Sequence, residues 1–138
     1  MKAQSFLACL CATTLLVLSL KSPTIAAEWN PRSYATEDTL EILTVGSEEG
    51  AHWFPVWLVV LNDQVYVRLG SRAATRMQKN TTVPYIGVKV AGQQFDRVKT
   101  EEAPDMAEAV AKAIADKYWS DIFVHFFPHP LTLRLVPE

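Results

Sequence analysis

The run "HWFPVWLVVLNDQVYVRL", residues 52–69, constrains the fold more than any other feature of the chain. Two apolar segments flank Asn62-Asp63, a pair that tolerates left-handed backbone and therefore suits a tight hairpin turn. Before the turn, Val56, Leu58 and Val60 alternate with Trp57, Val59 and Leu61, so both faces are apolar. After it, Val65, Val67 and Leu69 share one face, predicted inward, and Tyr66 and Arg68 share the other. A strand apolar on both faces must be covered twice. It belongs in a barrel, or under a helix or a partner subunit.

The remaining segments repeat the pattern. "TLEILTVG" alternates Leu40, Ile42 and Thr44 against Glu41, Leu43 and Val45, and "SEEGA" turns the chain. Gly70-Ser71 breaks the third strand, with Ser71 placed to cap a short helix, "RAATRMQKN". "TVPYIGVKV" presents Ile86, Val88 and Val90 on one face; Ala91-Gly92 turns into "QQFDRVKTEE", a polar strand with Phe95 and Val98. From Pro104 to Trp119, Met106, Val110, Ile114 and Tyr118 recur every four residues, predicting one amphipathic helix with Pro104 in its first turn. "DIFVHFFPHP" reads as an apolar connector, "LTLRLVP" as a last strand, and Trp29 to Asp38 as a polar lead-in. The expected fold is mainly β with one long helix: a small closed or half-open barrel of about six antiparallel strands.

The chain has 138 residues, enough for one domain. Residues 1–27 read as a signal peptide and 28–138 as the single domain. Lys2 precedes an uncharged run from Phe6 to Leu20, followed by Lys21, Pro23 and the small residues Thr24, Ala26 and Ala27. The expectation is export to the periplasm or beyond, cleavage after Ala26 or Ala27, and no stable membrane anchor thereafter. Cys9 and Cys11 leave with the leader, which removes disulfides and thiol chemistry from the mature protein. Losing Lys2 and Lys21 from 13 Lys and Arg against 15 Asp and Glu gives a formal charge of −4, which argues against a nucleic-acid partner.

Against that acidity, no carboxylate lies between Asp63 and Asp96, while Arg68, Arg72, Arg76, Lys79 and Lys89 all do. Cations and hydroxyls near a helix start can hold a dianion through charge-assisted bonds and helix N–H groups. The alternative is a solvated basic face. His125 and His129 lie four apart, but Pro128 and Pro130 interrupt a helix there, and no metal site is expected. Trp53, Trp57, Tyr118 and Trp119 could wall a flat ring system, or be core or interface.

The stretch from "TVGSEEGAHWFPVWLVVL" through "VYVRLGSRAATRMQKN" to "VPYIGVKVAG", with the terminal "TLRL", resembles the split β-barrel proteins of the pyridoxamine-phosphate-oxidase-like superfamily. The likeness is greatest to the small branch near the deazaflavin-dependent nitroreductases. It implies a split barrel, often homodimeric, that holds the phosphate of a flavin or deazaflavin around the third strand and the segment after it. The matching cofactor-binding positions are Arg68, Ser71, Arg72, Thr75, Arg76 and Lys79. Where such proteins often carry a basic residue after the first strand, this sequence has Glu48 and Glu49, with His52 the nearest candidate cation. The implied function is an oxidoreductase dependent on FMN or deazaflavin. The alternative is an exported, non-catalytic module on the same fold for an anionic or aromatic molecule such as haem.

Overall fold

The structure, a computed structural model, describes residues 27–118 and 131–138. Residues 1–26 of the expected leader, Trp119, and the expected connector with His125 and His129 lie outside them. Six strands, β1 (Thr39–Gly46), β2 (Gly50–Leu61), β3 (Gln64–Leu69), β4 (Tyr85–Val90), β5 (Gln93–Glu102) and β6 (Leu131–Pro137), form a closed antiparallel barrel in the order β1-β2-β3-β6-β5-β4. The expected architecture is the one observed.

Its interior follows the alternation in the sequence. Leu40, Ile42, Leu58, Val65, Val67, Val88 and Val98 are each at most 1 % exposed. Burying a side chain of this size stabilises the fold by about 1.5–3 kcal/mol. Two of the turns expected from sequence carry left-handed backbone at paired positions, at Asn62 and Asp63 (φ 52° and 59°) and at Ala91 and Gly92 (φ 51° and 73°). Opposite Gly87, β5 places Asp96 and Arg97 between the pairs Ile86–Val98 and Val88–Phe95; this bulge bends the strand and helps close so small a barrel.

Closure is least complete between β1 and β4, where only Glu41–Leu43 pair with Gly87–Lys89. Beyond Leu43 the two strands splay, and Asn80 fills the gap. Its Oδ1 accepts from the Val45 amide at 3.0 Å and its Nδ2 donates to the Tyr85 carbonyl at 2.9 Å.

Three short elements complete the domain. α1 (Pro31–Tyr34) places Tyr34, fully buried, in the barrel core, where Trp29 bridges it edge-on to Phe95. The lead-in was expected to be merely polar; one aromatic residue in four residues of helix offers no period to read. α2 (Ser71–Gln78) closes the opposite end with Ala74 and Met77. Gly70, not Ser71, is its N-cap, so the helix starts at Ser71, one residue earlier than expected. The long helix divides into a 3₁₀ turn (Pro104–Met106) and α3 (Ala107–Lys117). Val110, Ile114 and Tyr118 pack on Val59 and Tyr66, which supplies the second cover that β2 demanded. The outward face of β3 is therefore dry at Tyr66 and only partly exposed at Arg68.

Candidate functional site

Arg68 leaves β3 on the outside of the barrel, next to the start of α2. It lines a cleft of about 320 Å³ together with Thr39, Pro55, Trp57, Gly70 and Ala73. Three observations give this cleft a chemical character. Among the described residues, the Nη1 of Arg68 is buried and has no hydrogen-bond partner. A buried charged donor without an acceptor is costly, so the geometry is suited to an anion. The first turn of α2 opens beside it: Ala74 is the first residue whose amide bonds back, to Gly70, and the glycine cap has no side chain to satisfy the earlier ones. Unsatisfied helix N–H groups and the positive dipole end reinforce an anion's attraction to the guanidinium.

The third observation is a flat wall. Trp57 stacks on Tyr118 with ring centroids 4.5 Å apart and planes 5° from parallel. Tyr118 is anchored in turn: its hydroxyl donates toward the main-chain oxygens of Asp38 (2.7 Å) and Leu58 (2.9 Å) and accepts from the Leu58 amide (3.3 Å). Burial, the largest influence, pushes its phenol above the ordinary value, so it stays a neutral donor at physiological pH. Beside it, the Lys117 ammonium donates to the carbonyls of Glu37 (2.5 Å) and Leu58 (3.0 Å), and burial lowers its pKa.

The six positions singled out from sequence do not converge on one point. Arg68, Ser71 and Arg72 lie at the start of α2, the latter two exposed. The Thr75 hydroxyl donates to the Ser71 carbonyl at 2.9 Å, so toward a ligand it can only accept. Arg76 and Lys79 line a different cleft at the other end of the helix, beside the β1–β2 turn. An eight-residue helix is about 12 Å long, so one phosphate cannot reach both ends. Arg76 is also engaged: it donates to Glu49 at 3.2 Å and its guanidinium lies 5.5 Å from the centre of the Phe54 ring. The window without acids in sequence thus receives one in space, from the turn where the family resemblance would have placed a base.

Sequence reasoning missed Thr39 and Pro55 as walls of the Arg68 cleft. They join it through the register of β1 on β2, where Thr39 faces Trp57 and Glu41 faces Pro55. Among the described residues no group of three or more His, Cys, Asp or Glu could hold a metal, and no helix is long and apolar enough to cross a membrane.

A partly splayed six-stranded barrel plugged by short helices defines a split β-barrel protein, and comparison with solved structures bears this out. An F420-H2 dependent reductase (FDR-A) matches with a TM-score of 0.54, covering 72% of this chain and 94% of that one at 11% identity. HutZ, the heme storage protein from Vibrio cholerae, also matches with a TM-score of 0.54, covering 78% and 87% at 17% identity. At such identities the likeness is one of fold. No protein-family model matches the chain, and no curated protein matches it in sequence.

Proposed function

We propose that this is an exported split-barrel protein that holds a phosphate-bearing cofactor of the FMN or deazaflavin type in the Arg68 cleft, and that it serves oxidoreductase chemistry. The observation that carries the reading is the buried, unpartnered Nη1 of Arg68 beside an open helix start. In this reading Arg68 gives the phosphate a charge-assisted hydrogen bond, the first amides of α2 and the Ser71 hydroxyl complete its shell, and Arg72 adds charge at the rim. Trp57, braced by Tyr118, offers a surface for a flat ring. A bound flavin would supply the redox chemistry, and the protein its binding and orientation. Cleavage after Ala26 or Ala27 and action in the periplasm or beyond belong to the same proposal, on the strength of the leader's layout.

The cleft is open on one side, and its walls Pro55 and Trp57 continue into an outer sheet face bearing the partly exposed Leu43 and Trp53, the latter with the Lys89 ammonium 4.0 Å from its ring centre. A second copy of the chain seated there would close the cleft, so the working unit we propose is a homodimer.

The alternative, a binding module for a haem-like molecule, draws support from the fold it shares with HutZ. Thermal-shift measurements with FMN, haem and pyridoxal phosphate separate the two. Stabilisation by FMN supports the first reading and stabilisation by haem alone the second. No stabilisation by any of them contradicts both.

A further inference from the structure

The cleft at the far end of α2 has a different chemistry from that around Arg68. Its volume is about 400 Å³. One wall is the β1–β2 turn, with Glu48 and Glu49; the other is the end of α2, with Arg76 and Lys79; Thr44 contributes from β1. Thr44 is 2 % exposed.

The charges define what that ligand must be. Arg76 and Glu49 already neutralise one another at 3.2 Å. Glu48 and Lys79 are exposed, on opposite walls, and neither forms an ion pair among the described residues. A simple anion is drawn to Lys79 but repelled by Glu48 and Glu49. A simple cation meets the reverse. A small molecule carrying both charges is attracted by both walls, and the site stays electrically neutral. The volume lies near the lower end of the range for small-molecule sites, which excludes large ligands.

We infer that this cleft is a second small-molecule site that takes a zwitterion of the α-amino-acid class. The ligand's carboxylate lies toward Lys79 and Arg76, its ammonium toward Glu48 and Glu49, and the Thr44 hydroxyl bonds to it. The site shares no residue with the Arg68 cleft and does not depend on the cofactor reading.

The test is an amide chemical-shift titration of the ¹⁵N-labelled protein with the neutral L-amino acids, each then compared with its N-acetyl and methyl-ester forms. The expected result is saturable shifts at Thr44, Gly46 and Lys79 with at least one zwitterion. Both blocked forms bind at least about tenfold more weakly, since each loses one charge-assisted contact. Lys79→Ala and Glu48→Ala weaken the zwitterion to a similar extent without changing the melting temperature, and Arg68→Gln leaves its affinity unaltered. The inference is overturned if no amino acid moves these amides, if the blocked forms bind as tightly, or if inorganic phosphate reproduces the shifts.

Discussion

The side-chain amide of Asn80 donates to the main-chain oxygen of Tyr85 at 2.9 Å, and so joins β4 to the chain leaving α2. Its oxygen accepts from the Val45 amide of β1 at 3.0 Å. One side chain, 5 % exposed, thereby continues a sheet that the backbones have abandoned. The next residue adds to this tie between the end of α2 and the barrel: the Thr81 amide donates to the Val45 carbonyl at 2.8 Å.

Replacing Asn80 by alanine leaves the partly buried Val45 amide without its partner and removes one of the two hydrogen bonds to the Tyr85 carbonyl, which keeps the one from the Thr82 hydroxyl. Asn80→Ala is expected to destabilise the protein by about 1–3 kcal/mol, against about 0.5 kcal/mol or less for the exposed control Gln78→Ala. Urea unfolding of both variants measures this. Equal midpoints would show that the β1–β4 seam does not depend on the side chain.

Tyr118 fixes the indole of Trp57 and the entry into β1 together. Tyr118→Phe keeps the stack but strips the hydroxyl from Asp38 and Leu58. A loss of about 1–3 kcal/mol is expected in thermal unfolding, with little change in Trp57 fluorescence. A large fluorescence change with unaltered stability would place the contribution in the ring instead.

On the outer surface Arg32 pairs with Asp63, Arg97 with Glu138, and Arg134 with Glu101. In each, the side-chain hydrogen bond from arginine is the largest influence, and it holds the carboxyl below its ordinary value. A carboxyl whose folded pKa is depressed contributes stability above its unfolded pKa and loses it as pH falls through the folded one. Unfolding free energy is therefore expected to fall as pH drops below the ordinary carboxylate range, less steeply in Glu101→Gln. Because the pairs are solvent-accessible, added salt should flatten the profile. Stability that rises on acidification would contradict the assignment.

The proposed leader makes its own prediction. Mass spectrometry of the native protein should find a mature N-terminus near Glu28, with Cys9 and Cys11 gone. An intact Met1 on cytoplasmic material would remove export from the proposal.

Much of the fold was legible because each strand's alternation is local. Leu40, Ile42, Val65, Val67 and Val88 announce their faces within a few residues, and Asn62-Asp63 and Ala91-Gly92 announce their turns. Tyr34 was not legible, because a single aromatic residue after Pro31 has no pattern around it. The site was half legible. Arg68 stood out as a cation on the outward face of a strand, but its cleft depends on Thr39 and Pro55, brought in by strand register. The pairing of Arg76 with Glu49 joins residues 27 apart in sequence, and no local signal reports it.

The account turns on Arg68. Fluorescence titration of FMN into the parent protein and into Arg68→Gln, with circular dichroism to confirm that both are folded, tests it most directly. The account expects saturable binding to the parent and a loss of about 1.5–3 kcal/mol in the variant, roughly ten- to a hundredfold in affinity, as for other hydrogen bonds to charged groups. Equal affinity in the two proteins, or no FMN binding by the folded parent, would contradict it.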